Sequence, residues 1–302
     1  MKLISILLAL ASLFSACNMK DVQPVFESSR VLTDYPSGST VCYLDGKYYI
    51  MGDDAAEILV LNDNMNELER IRIFPAGEHI RLPKDSKADV ESSAIINHDG
   101  KPSVLFLGSG SRSPHRDSAF LLETKLKKVE RIDTRTFFDE LRMEVKDLNI
   151  EAASVAGSEL LLGLRANKSY PENYIALADF GGLNFKYNRK IAIQLPLHGA
   201  GISGMDYDEK GDVLFVTFSS EDTSNSYDDG EIGESYLAII TYASQALKED
   251  KLAITKLIML SELSPEFIDQ KIESVSLTGD PRKLMLVADD DKGNTKIFTL
   301  SY

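Results

Sequence analysis

The sequence predicts an all-β fold, a five-bladed β-propeller that is closed by an N-terminal strand completing the last blade. Three observations predict it. After residue 25, short runs of β-branched, aromatic and aliphatic residues alternate with turns rich in Gly, Asp and Asn. Similar hairpins recur at intervals of roughly 50 to 70 residues, which indicates a repeat architecture of four-stranded blades. Finally, the last unit lacks one strand, and the N-terminal region has one to spare.

Each hairpin joins the first two strands of a unit, and the following strands complete it. The hairpins lie at residues 43–49, 97–103, 155–161, 208–214 and 277–284. In chain order, the predicted strands are TVCYL, YYIMGD, EILVLN and LERIRIF; ESSAIIN, SVLFLGS, DSAFLLET and VERIDT; EAASVA, ELLLGLR, NYIALADF and KIAIQLP; GMDYD, VLFVTFS, SYLAIITY and AITKLIML; and ESVSLT, KLMLVAD and TKIFTLSY.

The fifth unit ends one strand short at Tyr302, and the segment PVFESSRVLT at residues 24–33 supplies the missing strand. Its pairing with the last unit would close the ring and remove an exposed sheet edge. We therefore expect residues 26–302 to form a single propeller domain.

Two inserts carry helical rather than strand-like patterns. Residues 133–149 place Phe137, Phe138, Leu141 and Val145 at helical spacing after a cap at Asp133 or Thr134. Residues 261–270 predict a shorter helix with Pro265 in its first turn. Both inserts precede the first strand of a unit, so both should lie on the same face of the ring.

The N-terminus predicts export and lipidation. Residues 1–17 read as a lipoprotein signal peptide, with one Lys, a short apolar run and a lipobox that ends at Cys17. Cys17 would carry the lipid, and residues 18–25 would form a tether. The predicted location is the bacterial cell envelope, lipid-anchored to a membrane and facing the periplasm or the surface. Ordinary secretion with cleavage near Ala16 is the alternative.

The bulk composition limits the partners. The chain carries a formal net charge of −14, so its acidic surface should repel nucleic acid, and the lipid should be its one link to the membrane. If Cys17 is lipidated, Cys42 is left alone and a disulfide framework is impossible. We expect Cys42 to be a buried, inert thiol. The four His residues are scattered without ligand spacing, which disfavours a zinc site.

A carboxylate begins the first strand in three of the units. These residues are Glu91, Glu151 and Glu273, and the fourth unit has Ser203 or Asp206 where the first has Thr40. Since first strands line the central channel of a propeller, the three glutamates should meet at one mouth. The ends of the second strands should share that rim. They carry Asp53, Asp54, Ser109, Ser111, Arg112, Arg165, Glu221, Asp222, Asp289, Asp290 and Asp291.

Three like charges near one axis are costly unless something compensates them. One solution is ion pairing with Arg112, Arg116 and Arg165. A second is a bound Ca²⁺, with Glu91, Glu151 and Glu273 as ligands, because hard cations prefer carboxylate and carbonyl oxygens. In a third, one glutamate is protonated and acts as a general acid or base. No residue is identified as the catalytic one.

The pattern DVESSA, LFLGSGSR, LNIEAASV and LLLGLR between Asp89 and Arg165 resembles a family of uncharacterised bacterial exported β-propeller lipoproteins. It is more distantly similar to esterase-like phytase propellers, and the matching positions are Glu91, Glu151 and Glu273. The resemblance implies the propeller, a rim of Glu and Arg, and a Bacteroidota-type envelope protein. It implies no activity.

Three functions follow as hypotheses. The first is a lipid-anchored module that binds a small anionic ligand or a protein partner at its central mouth, through Glu91, Glu151, Glu273, Arg112, Arg116 and Arg165. The alternative is a Ca²⁺-dependent phosphoric-ester hydrolase of phytase or apyrase type, with the glutamates on the metal and Arg112 or Arg165 on the phosphate. A glycoside hydrolase with a carboxylate pair is the third, and the sequence lacks an evident aromatic platform for it.

Overall fold

The computed structural model describes residues 23–74, 81–221, 223–225, 230–289 and 293–302. They form five four-stranded sheets, and every strand pairing within the sheets is antiparallel. The first strands of the five sheets contact one another in a closed ring around a central axis. The predicted five-bladed propeller is therefore confirmed.

The first strand of the chain, β1 (Val25–Leu32), belongs to the last blade. Blade 1 contains β2 (Gly38–Leu44), β3 (Lys47–Gly52), β4 (Glu57–Asn62) and β5 (Glu67–Arg72). Blade 2 contains β6 (Val90–His98), β7 (Lys101–Gly108), β8 (Ser118–Glu123) and β9 (Lys128–Asp133). Blade 3 contains β10 (Ile150–Ala156), β11 (Glu159–Leu164), β12 (Asn173–Asp179) and β13 (Lys186–Ile193). Blade 4 contains β14 (Ala200–Asp208), β15 (Val213–Glu221), β16 (Ile232–Thr241) and β17 (Lys256–Met259). Blade 5 contains β18 (Lys271–Leu277), β19 (Lys283–Asp289), β20 (Thr295–Ser301) and β1.

The N-terminal strand closes the ring as the sequence predicts. β1 pairs with β20, with Val25 opposite Ser301 and Leu32 opposite Thr295. Because neighbouring strands are antiparallel, β1 runs in the same direction as β19, towards the face where the inner strands begin. Val25 therefore lies on the opposite face of the ring.

The hydrophobic core lies between the blades, as it must when flat sheets stack around an axis. Leu107 of blade 2 packs in one cluster with Leu162 of blade 3. Ile175 of blade 3 packs in another with Phe218 of blade 4. The core also holds Cys42, a free cysteine whose thiol is buried, and burial raises the pKa of that thiol. Its predicted burial is confirmed.

The first predicted helix is present as α1 (Arg135–Glu144), which buries Phe137, Phe138 and Leu141. Thr134 occupies the N-cap position without a side-chain cap hydrogen bond, and Val145 lies just beyond the C-terminus. The second predicted helix consists of two 3₁₀ turns, Leu260–Glu262 and Pro265–Phe267, because the segment is too short for a stable α-helix. In the second turn the Ser264 hydroxyl accepts a hydrogen bond from the Glu266 amide at 3.2 Å.

The sequence did not predict α2 (Ala243–Lys248) in blade 4. Six residues are too few to show a helical period. Within the part of the chain that the structure describes, no helix has the length and apolar character that crossing a membrane requires.

Each inner strand is interrupted by a β-bulge at the equivalent position. The residue skipped in the pairing with the second strand is Ser39, Glu91, Glu151, Ser203 or Glu273 in blades 1 to 5. A bulge leaves one residue out of the ladder and redirects its side chain. In blades 1, 2, 3 and 5 that side chain lines the cavity at the channel mouth.

The residues that follow the bulges lie between two cavities on the axis. They are Thr40, Ser92, Ala152, Gly204 and Ser274, and they line neither the cavity at the mouth nor the one of about 210 Å³ further along the axis. The inner strands approach closely here. A Cβ on Gly204 would lie 2.6 Å from the Cα of Ser274 and 2.8 Å from the amide nitrogen of Val275.

Replacing Gly204 with alanine should therefore push two inner strands apart. We expect the free energy of unfolding to fall by about 1–3 kcal/mol, the usual cost of overpacking, in urea titrations. Gly181→Ala is the matched control, since a Cβ there meets no atom within 4 Å. Equal losses in the two variants would contradict the close approach of the strands.

Candidate binding site at the channel mouth

The bulged glutamates meet at one mouth of the channel, as predicted. Glu91, Glu151 and Glu273 line a single cavity of about 420 Å³. Ser203 occupies the equivalent position in blade 4, but in blade 1 that residue is Ser39 rather than the predicted Thr40. Thr40 forms a hydrogen bond with Ser93, 2.6 Å between hydroxyl oxygens, and lies one residue below the mouth.

Asp206, the second option in blade 4, lies instead at the other end of the channel. It lines the smaller cavity and accepts hydrogen bonds from the amides of Tyr207 and Leu277 at 2.9 and 2.8 Å and from Ser154 at 3.2 Å. Burial raises the pKa of Asp206 to about 6, although these donors oppose the shift. Its carboxylate thus joins blades 3, 4 and 5.

Charged side chains dominate the mouth. Among the described residues, the cavity is lined by the carboxylates of Asp53, Asp54, Asp89, Glu91, Glu151, Glu221, Glu273 and Asp289, and by the cationic groups of Arg81, Lys84, Lys87, Arg116, Arg165 and Lys271. Carboxylates outnumber cations, so the cavity would carry a negative charge if every group were ionised.

One ion-pair network joins blades 1 and 2. Asp89 lies 2.8 Å from the Nζ of Lys87 and 2.5 Å from the guanidinium of Arg116, and it accepts a hydrogen bond from Ser109 at 2.5 Å. Lys87 also contacts Asp53. Burial alone would lower the pKa of Lys87, but Asp53, Asp89 and Glu91 raise it, so Lys87 stays charged.

A second network joins blades 3, 4 and 5 through two buried cations. Arg165 lies 3.1 Å from Glu221 and 3.6 Å from Glu151, and Lys271 lies 3.3 Å from Glu221 and 3.0 Å from Glu273. Against the effect of burial, Lys271 and Arg165 lower the pKa of Glu221. The amide of Asn149 donates to Glu151 at 2.6 Å.

Five of the six predicted ligand-binding residues therefore line the mouth, and Arg112 does not. Its guanidinium lies 3.6 Å from Asp85, and its side chain is 55% exposed. Arg116 and Arg165 do meet carboxylates as predicted, although Arg116 pairs with Asp89 rather than with one of the three glutamates.

Several carboxylate oxygens in the mouth keep their hydrogen-bonding capacity. Within the described ranges, Glu91 forms no hydrogen bond or ion pair, and the buried oxygens Oε2 of Glu273, Oδ1 of Asp53 and Oδ1 of Asp54 have no partner. Burial and the charge of Glu151 raise the pKa of Glu91 well above its usual range. Burial raises the pKa of Glu273 to about 8, against the effect of Lys271.

The predicted Ca²⁺ site can be tested against these positions. Oxygen atoms of Asp53, Asp89 and Glu91 lie within 4.8 Å of one another, a spacing that a metal ion could bridge. However, the ammonium of Lys87 contacts Asp53 and Asp89. Since Ca²⁺ needs six to eight oxygens at about 2.3–2.6 Å, these residues do not fit it while Lys87 remains in place.

Four residues of the mouth were not predicted: Lys87, Asn149 and Lys271, which contact mouth carboxylates, and Asp89, which pairs with Lys87 and Arg116. Their signal is a spacing of two residues. Lys271 precedes Glu273 by two positions, Asn149 precedes Glu151 by two, and Lys87, Asp89 and Glu91 continue the pattern.

Some predicted features lie outside the described residues. These are residues 1–17 with Cys17, the tether as far as residue 22, and the rim residues Asp222, Asp290 and Asp291.

Comparison with solved structures supports the fold. The crystal structure of glutaminyl cyclase from Myxococcus xanthus has a TM-score of 0.55 and 8% sequence identity, over 92% of this chain and 96% of that chain. The RRP9 WD40 repeats are similar with a TM-score of 0.44 and 8% identity, over 91% of this chain and 99% of that one. At 8% identity, the likeness to the glutaminyl cyclase shows a shared fold alone.

No curated protein is significantly similar to the sequence, so the resemblance to phytase propellers stays a prediction. A family profile, by contrast, matches residues 34–301, which run from just after β1 to the end of β20. That span covers nearly the whole propeller, and the chain therefore belongs to the family of unknown function DUF6929.

Proposed function

We propose that the protein is a lipid-anchored binding module of the bacterial cell envelope, which takes a small ligand or a loop of a partner at the channel mouth. The observation that carries the proposal is the cavity at the channel mouth, called the pit from here on. The cavity has a volume of about 420 Å³, within the range of small-molecule sites, and the residues after the bulges lie between it and the other cavity on the axis.

The ring would also present the mouth away from the anchoring membrane. β1 enters from the face opposite the mouth, because Val25 pairs with Ser301 at the end of β20. A lipid on Cys17 would hold that opposite face at most roughly 28 Å from the membrane, the extended length of residues 18–25. The pit would then open towards the surrounding space.

The geometry favours binding over hydrolysis. A phosphoric-ester hydrolase would need a cation for the phosphate and a metal for the ester, but Arg165 is held by Glu151 and Glu221, and Lys87 lies among the acidic ligands. Ca²⁺-dependent hydrolysis thus stays a prediction, since these contacts leave neither Arg165 for the phosphate nor the acidic ligands for the metal. Among the described residues no aromatic side chain lines the pit, which disfavours the glycoside hydrolase.

Filling the cavity with a large side chain tests the proposal. Leu82 lines the cavity and is half-buried. In Leu82→Trp, the indole should fill the mouth, so that small polar metabolites that raise the melting temperature of the wild type no longer do so.

Leu126→Trp is the control, because Leu126 is 67% exposed on a turn at the opposite face. This variant should keep the wild-type shifts in a thermal-shift screen. Ligand-induced shifts that survive in Leu82→Trp would place the binding site elsewhere and refute the proposal.

A further inference from the structure

We propose that the ligand carries an organic ammonium group, which binds to Glu91 and Glu273 in the mouth. The inference rests on the proposed function, and it assigns the chemistry of the same site. It replaces the anionic ligand that the three arginines suggested with a small organic amine.

The mouth contains buried carboxylate oxygens that lack a hydrogen-bond donor. Glu273 is 5% exposed and lines the pit, and its Oε2 has no partner among the described residues. A buried carboxylate oxygen without a donor costs free energy, and a ligand that supplies a donor recovers it. Asp54, 6% exposed, presents a second such oxygen, Oδ1, in the same cavity.

Glu91 lies where a bound ammonium group could reach a second carboxylate. Its carboxylate is half-buried in the pit and engages no described donor. An oxygen of Glu91 lies within 4.8 Å of an oxygen of Asp53, whose Oδ1 is also without a partner. One ammonium nitrogen at about 2.7–2.9 Å from each oxygen can bridge two acceptors at that separation. Lys87 contacts Asp53 and Asp89 but forms no ion pair with Glu91, so the ligand would bind on the Glu91 side of this cluster.

The charge of the pit also favours a cation. The acids that line the pit outnumber the bases, Glu273 shares the ammonium of Lys271 with Glu221, and Glu91 forms no ion pair with a described residue. Like charges that face one axis repel each other, and Glu151 adds to the charge near both. With a pKa of about 8, Glu273 holds a proton at neutral pH when no ligand is bound. An ammonium group favours the ionised carboxylate and would displace that proton, whereas an anion would add to the repulsion.

The buried arginines are not available to bind an anion, because carboxylates already bind them. Arg165 and Arg116 are both nearly inaccessible, with side-chain exposures of 6% and 5%, and both are engaged by carboxylates. To bind an anion, Arg165 would have to leave Glu221 and Glu151, which would leave Glu151 without its cation and Glu221 with Lys271 alone. An organic amine also suits the site better than a metal ion, since its donors need no cage of six to eight oxygens.

Thermal shifts with matched probe pairs test the inference. The pairs are 1,4-diaminobutane with 1,4-butanediol, 2-aminoethanol with ethylene glycol, and glucosamine with glucose. We expect at least one amine to raise the melting temperature while its neutral partner does not. We expect Glu91→Gln to weaken its binding about tenfold or more, as measured by calorimetry.

Glu209→Gln is the control, because Glu209 is exposed on a turn at the opposite face and the substitution removes the same charge. Since Glu91 makes no contact to a described donor, Glu91→Gln should fold as the wild type does. Inorganic phosphate and Ca²⁺ are tested alongside the amines.

The outcomes separate the two proposals. If phosphate, Ca²⁺ or a neutral probe raises the melting temperature and Leu82→Trp abolishes the effect, the mouth is a binding site but the inference about its ligand is wrong. If no amine has an effect, the inference is also overturned. Equal amine affinity in Glu91→Gln and the wild type would refute the assignment of the site.

Discussion

Replacing Arg165 with alanine is expected to lower the free energy of unfolding by about 3–5 kcal/mol. The guanidinium is buried and binds Glu221 at 3.1 Å, Glu151 at 3.6 Å and the carbonyl oxygens of Ile202 and Ser219 at 3.4 and 3.3 Å. Its removal leaves two buried carboxylates with one cation fewer and two carbonyl groups without this donor. Because these groups belong to blades 3 and 4, the interface between the two blades should weaken.

Urea titration at neutral pH measures the loss. Arg135→Ala is the matched control, since Arg135 pairs with Asp133 on the surface with side chains 72% and 65% exposed. Such exposed pairs contribute about 0–1 kcal/mol, so the control should change little. A loss for Arg165→Ala as small as that of the control would mean that water already solvates Glu151 and Glu221.

The second large effect is a loss of stability as the pH rises. The pKa of Glu273 is raised to about 8 by burial, from 4.5 in the unfolded chain, and the pKa of Asp206 is raised to about 6 from 3.8. Between about pH 4 and pH 8 these two groups hold more protons in the folded protein than in the unfolded chain, so the free energy of unfolding falls as the pH rises. The stabilisation is complete below about pH 4 and is lost as the pH approaches 8.

We expect the loss between pH 5.5 and 8.5 to be a few kcal/mol, measured by urea titration at several pH values. Glu273→Gln should flatten the upper part of this profile, because it removes the group that titrates there. Glu209→Gln, which changes an exposed turn, should keep the wild-type slope. A profile that rises towards pH 8.5 would show that Glu273 is ionised in the folded protein without cost.

The fold was largely predictable because its signals are local. The hairpin turns, the spacing of the units and the unpaired strand near Phe26 are all visible in the sequence. The helix with Phe137 and Leu141 was predictable for the same reason, since its buried residues repeat with the helical period. The six residues of α2 carry no such period, and only their tertiary context shows them to be helical.

The site was predictable only in part, because it depends on pairing between distant residues. The glutamates were found from their shared position at the start of an inner strand. The bulge at Ser39 is set by the register of β2 against β3, which no local pattern reveals, so Thr40 was chosen instead. Lys87 and Lys271 were missed because a lysine near a glutamate is usual on any surface, and burial makes the difference here.

The pairing of β1 with β20 has a consequence for biosynthesis. Glu27 of β1 accepts a hydrogen bond from Lys283 of β19, 256 residues away in sequence, and Val25 pairs with Ser301. Contacts between such distant segments are slow to form, and at about 5–20 residues per second the ribosome takes many seconds to supply the second partner. Strand β1 is therefore synthesised long before its partner β20, and it stays unpaired until then. A chain that terminates early lacks β20 and cannot close the ring.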